Sequence, residues 1–383
     1  MVHLDHLLAQ AIVDRSMKII DCNVNVMDAR GIIIASGDPV RLGTVHQGAL
    51  LVLAKQAPVE IDEDLVQQLD GVRPGVNLPL RAEEQIVGCV GLTGLPQALR
   101  RYGALVQMAA ETMLEQARLM QLLARDARLR EELVLGLIRN ETLTPAQIHW
   151  AERLGIDVAL PRVAAVIEVD GGSLDVDSVL GELQRLHTLL TTPERDNLIA
   201  TVSLTELVVL KPALNGKGDW DVNVHRQRVK SLLARMKSSS PLGVRLAFGQ
   251  YFPGPGGLAR SYQVALTTLA VGKQRQPNDS AFFYADLTLP VLLDGFRQGW
   301  QADEMCEPLS VLMKHDRHGQ LLRTLKTWYS HEMKVADTAQ ALHIHRNTLD
   351  YRMRRIQEIC GVNLSNTADC VHMYLALQMI DAV

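Results

Sequence analysis

The chain has 383 residues, 47% hydrophobic, 21% charged and 4% aromatic, with a formal net charge of −4 from 39 basic and 43 acidic side chains. That length exceeds what one hydrophobic core usually serves, so two or three domains of ordinary globular composition are expected. The near-neutral total excludes a wholly basic nucleic-acid coat protein, yet it leaves room for one basic module.

No apolar run approaches the roughly 18 residues of a membrane helix, so no membrane partner is expected. The opening Met1-Val-His-Leu-Asp5 has neither a basic nor an apolar signal region, and five cysteines form an odd set without a C-x-x-C pair. Both features point to reduced thiols in a cytoplasm, and against a disulfide framework or a zinc finger.

Leu4, Leu7, Leu8, Ala11, Ile12 and Met17 recur at helical spacing, which predicts a helix over 4–19. Cys22 to Met27 alternates with period two, Asp28-Ala-Arg-Gly31 supplies a turn, and Ile32 to Ala35 returns as a strand. A second strand pair is predicted at Gly75–Leu80 and Ile86–Leu92, across a charged turn at Ala82–Glu84. Antiparallel hairpins ringed by helices are the layout of sensing domains of the PAS and GAF kind, an analogy of fold only. From Gln97 to Arg139 there is no proline and helix formers dominate. Val106, Ala110, Met113, Ala117, Met120, Ala124 and Ala127 keep coiled-coil spacing, a stripe that suits either the helix's own sheet or a second copy.

Pro145 marks a break. Strands are predicted at Arg162–Val169, Leu198–Val202, Leu207–Leu210 and Val244–Phe248, with helices at Val179–Leu190, Arg226–Lys237 and Gly256–Val271. This β-α-β-β-α-β order suggests a ferredoxin-like sheet. Asn278–Trp300 reads as a linker, and everything after about Cys306 as helices. The fold class is therefore a multidomain α/β protein. An α+β sensor over 1–137 precedes a ferredoxin-like α/β domain over 138–300 and an all-α helix-turn-helix domain over 301–383.

The strongest local signal lies near the C-terminus. Val335 to Leu342 and His345 to Ile356 read as two helices joined by a short turn at His343-Ile344. Ala339 is small enough for their closest crossing, and Leu342, Ile344, Leu349, Met353 and Ile356 form the inner face. The turn often carries a glycine; here it is His343. The outward face holds His345, Arg346, Asn347, Thr348, Tyr351, Arg352, Arg354 and Arg355. Residues 345–355 contain four arginines and one aspartate, hence +3 on an acidic chain. At the N-terminus of a reading helix Arg346 can pair with guanine, Asn347 with adenine, and Thr348 with a phosphate or a thymine methyl. Arg352, Arg354 and Arg355 suit phosphates. Double-stranded operator DNA is the expected partner, read by a homodimer at paired half-sites.

His345 to Ile356, followed by Gly361 and the apolar stretch Val371–Ile380, resembles the PucR-type helix-turn-helix of bacterial regulators. Ile20–Gly31, Gly48–Leu53 and Gly71–Leu80 resemble the sugar-diacid-recognition domain, and Thr192–Arg195 with Lys211–Leu214 extends the likeness through the middle. Taken over nearly the whole chain, the resemblance is to the carbohydrate diacid regulator family. It implies a transcriptional activator for uptake and breakdown of D-glucarate, D-galactarate and D-glycerate, with a sugar diacid as effector. The middle segment is similar to degenerate GGDEF-like domains. Ser203-Leu-Thr-Glu-Leu207 stands where a cyclase would carry Gly-Gly-Asp-Glu-Phe, so only Glu206 remains, with Asp170 as a lone second acid. That makes a poor catalytic site.

A diacid needs anion clamps and, between them, partners for hydroxyls. Thr44-Val-His-Gln47 has the pattern of a capping box opening a helix through Leu53, with His46 in its first turn. Arg41 and Arg73 can grip a carboxylate. Asn23 and Asn25 share one strand face, and with Asn77 can serve hydroxyls. Gly254-Pro-Gly-Gly257 more simply turns the chain. No P-loop, zinc-protease, nucleophile-elbow or dinucleotide motif occurs, so no cofactor, metal or catalytic residue is assigned and the chain is read as a non-enzyme.

Overall fold

In the computed structural model Asp5 accepts a hydrogen bond from the Leu8 amide at 2.8 Å and so starts α1 (His6–Met17). The structure describes residues 4–67, 72–83, 85–170, 176–191, 196–237, 243–297 and 299–380. Gly71, Glu84 and the Thr192–Arg195 segment lie outside them. The chain divides into two compact units, Met1–Arg128 and Leu129–Val383.

In the first unit β1 (Val24–Asp28) and β2 (Ile33–Ser36) form the predicted hairpin. Asp28 Oδ1 accepts from the amides of Arg30 and Ile32, and Gly31 takes φ +78°, a left-handed turn that glycine adopts without strain. Then come α2 (Gln47–Lys55), β3 (Val59–Ile61), α3 (Glu63–Val66), β4 (Gly75–Ala82), β5 (Gln85–Thr93) and α4 (Pro96–Ile138). The sheet order is β2-β1-β5-β4-β3, every neighbouring pair antiparallel. β3 was not predicted, because three residues are too few to show a period.

Both faces of this sheet are covered. Val24, Val26, Leu78 and Val90 pack against Ile12 and Val13 of α1 and Val106, Ala110 and Leu114 of α4. Met27, Ile33 and Cys89 pack against Ala49 and Val52 of α2, with Val59 and Ile61 of β3. The coiled-coil stripe therefore splits. Val106, Ala110 and Met113 serve the sheet, whereas Met120, Ala124 and Ala127 are exposed, beside the exposed Leu119, Leu122 and Leu123.

In the second unit, the end of α4 contributes Leu133, Val134 and Ile138 to a core. Thr144 and Gln147 form a capping box, with a proline in the first turn, to start α5 (Pro145–Arg153). There follow β6 (Arg162–Asp170), α6 (Val176–Leu190), β7 (Leu198–Thr201), β8 (Glu206–Pro212), α7 (Val222–Lys237), β9 (Gly243–Phe248), α8 (Gly257–Arg275) and β10 (Ala281–Phe283). The order is β10-β9-β6-β8-β7, with β10 parallel to β9 and the other pairs antiparallel. Four of these strands realise the predicted ferredoxin-like order.

The expected linker at Asn278–Trp300 is corrected. Its β10 adds an edge strand whose Phe282 and Phe283 enter opposite cores, and α9 (Thr288–Asp294) packs on α8. Gly272 of α8 leaves room for the Phe282 ring; a methyl there would meet its Cγ at 2.3 Å.

The chain ends in α10 (Trp300–His315), α11 (Gln320–Ser330), α12 (Val335–Ala341), α13 (Arg346–Cys360) and α14 (Thr367–Ile380), built around Leu309, Leu312, Leu325, Ile356, Met373 and Leu377. Arg275 of α8 donates to the carbonyl of Gln378, near the carboxyl end of α14, where a cation is favoured. Among the described residues no helix is long and apolar enough to cross a membrane. All five cysteines are free thiols, and burial pushes Cys89 up to about 12.

Candidate functional site

In the first unit the polar residues singled out from the sequence come together. Asn25 lies opposite Ser36 on one side and Gly91 on the other, and Gly91 lies opposite Asn77. Residues in register share a face, so Ser36, Asn25, Gly91 and Asn77 form a row across the sheet on its α2 side. Asn25 is 1% exposed and Asn77 3%. Asn25 Oδ1 accepts from Ser36 Oγ at 2.6 Å and from Asn23 Nδ2 at 3.0 Å. The Asn77 amide has no hydrogen-bond partner among the described residues.

Two glycines make room for that amide, which fills the space their missing side chains leave. A methyl on Gly91 would stand 2.6 Å from Asn77 Oδ1, and one on Gly48 would stand 2.8 Å from Asn77 Nδ2 and 3.0 Å from the His46 ring. Asn77 and His46 therefore meet at the start of α2.

The capping box predicted at Thr44 is corrected. Thr44 Oγ1 donates to the Arg41 carbonyl instead, and His46 is the N-cap, its Nδ1 accepting from the Ala49 amide at 3.2 Å. An accepting Nδ1 leaves the ring proton on Nε2, which has no partner among the described residues. Burial, helped by the charge of Arg41, brings the His46 pKa down to about 4.

Arg41 is half-buried and Arg73 exposed. Burial first, then the like charge of Arg73, lowers the Arg41 pKa. Neither guanidinium has an ion pair or hydrogen bond among the described residues. The two form one cationic mouth rather than two separated clamps, beside a neutral interior of amides and an uncharged imidazole.

In the second unit α12 and α13 form the expected helix-turn-helix. Ala339 is buried at the crossing, Leu349 and Ile356 are fully buried, and His343 takes φ +54°, the left-handed conformation usual for glycine. His345 is the N-cap of α13 and accepts from the Asn347 amide at 3.2 Å. Arg346, Asn347, Thr348, Tyr351, Arg354 and Arg355 are exposed. Arg346 stands 3.9 Å from Asp350, and Arg355 pairs with Glu358 at 3.0 Å. Arg352 is half-buried and turned toward α11, donating to Thr324 Oγ1 at 3.3 Å and Gln320 Oε1 at 3.5 Å.

Among the described residues no cluster of three or more acids, histidines or cysteines is placed to hold a metal ion. Asp170 pairs with Arg245 at 3.8 Å, while Glu206 stands in register with Glu168, whose partner is Lys273 at 2.7 Å.

Sequence reasoning missed Ser36, Gly48 and Gly91. A glycine inside the apolar strand Ile86–Leu92 was a usable sign of close approach. Nothing in the sequence marked Thr324 and Gln320 as partners of Arg352.

Three family models match the chain: sugar diacid recognition over residues 4–137, GGDEF-like domain over 139–271, and PucR C-terminal helix-turn-helix domain over 321–379. The chain is 57% identical over 377 residues to the carbohydrate diacid regulator of Escherichia coli (strain K12), covering 98% of each. It is 26% identical to the DNA-binding transcriptional activator AdeR of Bacillus subtilis (strain 168), covering 82% of this chain and 75% of that one. Among solved structures it is similar to the regulator of polyketide synthase expression from Bifidobacterium adolescentis. That likeness has a TM-score of 0.28 and 18% identity, over 66% of this chain and 91% of that one.

Proposed function

This chain belongs to the carbohydrate diacid regulator family, and on that premise we propose that it is a DNA-binding transcriptional activator switched by a sugar diacid bound in its N-terminal domain. The genes under its control are those for uptake and breakdown of D-glucarate, D-galactarate and D-glycerate. It works in the cytoplasm as a homodimer and is not an enzyme. Its parts are a sensor over 1–137, a degenerate GGDEF-like domain over 138–300 and a DNA-binding domain over 301–383.

The observation that carries the DNA reading is the two-sidedness of α13. Leu349 and Ile356 are 0% exposed, while Arg346, Asn347 and Thr348 are exposed at the helix start that enters a major groove. Asn347 and Arg346 read bases; His345, Thr348, Tyr351, Arg352, Arg354 and Arg355 make up the rest of the interface. In the sensor Arg41 and Arg73 take a carboxylate, and Asn23, Asn25, His46 and Asn77 face the hydroxylated carbons.

The exposed apolar residues of α4 between Leu119 and Leu123 support pairing with a second copy, which a helix-turn-helix needs to span two half-sites. Switching requires that the effector bind one conformation of the dimer more tightly than the other.

Selection from a random duplex library with the full chain, at fixed salt and with or without D-glucarate, tests this reading. Enrichment of paired half-sites whose retention changes with the acid is expected. Equal retention of every duplex and of any polyanion would overturn it.

A further inference from the structure

Resting on the effector reading above, we infer that Asn25 and Asn77, set across Gly91, are the specificity-determining residues of the sensor: their amides read the hydroxyl groups of the bound acid, while Arg41 and Arg73 hold its charge.

The buried hydroxyls elsewhere in the protein show what a structural polar group looks like. Thr268, Thr324 and Thr338 each donate to a carbonyl of their own helix, at 2.6, 2.6 and 2.7 Å. Asn77 is nearly as buried, at 3% exposure against their 0%, and neither end of its amide is bonded to a described group. Buried polar groups are retained without partners at a cost, and a ligand that supplies them removes it.

The free groups define the ligand. Asn25 Oδ1 is taken by Ser36 and Asn23, which leaves its Nδ2 as the group able to donate. Asn77 offers one acceptor and one donor, and His46 offers a donor at Nε2 because its Nδ1 is committed to Ala49. A carboxylate can satisfy the donors but has no proton for Asn77 Oδ1. An alcohol, donor and acceptor at once, satisfies both ends.

No cation lies among these residues, and the guanidiniums are at the more exposed end. One carboxylate therefore stays at the mouth and the hydroxylated carbons go inside. Two strand spacings separate the asparagine backbones by about 10 Å, and the Asn77 amide lies over Gly91 between them.

Calorimetry on the full chain tests this with two six-carbon diacids, D-glucarate and adipate, which differ only in four hydroxyls. The wild type should bind glucarate about 100-fold or more tighter than adipate, because a deoxy ligand leaves the buried amides unpaired. Asn77→Leu should weaken glucarate at least about tenfold and adipate little, whereas Arg73→Gln should weaken both alike. Ser36→Ala, which frees the Asn25 amide to turn, should lower the ratio by a smaller factor and decides the matter if Asn77→Leu does not fold. Undiminished binding of duplex DNA serves as the folding control. Equal affinity of the wild type for both acids, or equal loss of both in Asn77→Leu and Ser36→Ala, overturns the inference and leaves the effector reading intact. Absence of binding by either acid overturns both.

Discussion

Arg352 donates through Nη1 to Thr324 Oγ1 at 3.3 Å, which ties the middle of α13 to α11, whereas Arg354 two residues on is exposed. The two arginines should therefore answer to different assays. Arg354→Ala is expected to weaken binding to all duplexes alike and to reduce the slope of log affinity against log salt by about 1. Arg352→Ala is expected to lower stability by about 1 kcal/mol in urea unfolding as well. Fluorescence anisotropy across a salt series, beside the unfolding curves, separates them.

Asn347 is exposed in the first turn of α13, where its amide can face an adenine edge. Asn347→Ala should relax preference at one operator position by about 1–3 kcal/mol and leave non-specific affinity nearly unchanged. Competition against single-base operator variants measures this, and a uniform loss across all of them would contradict base reading.

His343 carries φ +54° in the turn between α12 and α13. A non-glycine residue held there is strained by about 1 kcal/mol, part of which glycine gives back through its freer unfolded chain. His343→Gly should raise the unfolding midpoint slightly with operator affinity retained. A fall in stability would mean that the imidazole makes up for its own strain.

His46 has a folded-state pKa of about 4 against an ordinary value of 6.5. Its folded value is depressed, so the unfolded chain takes up the proton first as pH falls. The stability tied to the neutral ring is complete above pH 6.5 and is lost between 6.5 and about 4, a total of about 3 kcal/mol. Melting temperatures of the wild type and His46→Gln across that window should converge toward the acid end. Parallel curves would show that His46 does not carry the dependence.

A methyl on Gly272 would lie 2.3 Å from Phe282 Cγ, inside the core beneath β10. Gly272→Ala should cost about 1–3 kcal/mol through overpacking, despite the better helix propensity of alanine. Paired with Phe282→Leu, which frees volume, the cost should shrink in a double-mutant cycle.

Much of the architecture was legible because it is written locally. The period-two run at Cys22–Met27, the apolar run at Arg162–Val169, the proline-free stretch before Arg139 and the Pro145 break each carry their own signal. The inner face of α13 and its basic outer face could be read from twelve residues, since a 3.6-residue period separates them. The six polar residues of the sensor were nominated by type and local position: arginine for carboxylates, asparagines on strands and a histidine at a helix start for hydroxyls.

Tertiary structure decided the rest. An asparagine on a strand has the same sequence whether it faces water or a helix, and only the cover of α2 over the second face of the sheet buries Asn25 and Asn77. The same holds for Arg352, whose direction depends on Thr324 and Gln320 at 28 and 32 residues' distance. It holds as well for β10, whose three residues become a strand because β9 offers a free edge. Periodicity determines which elements form; what each side chain meets is settled by pairings between distant segments, which no local pattern encodes.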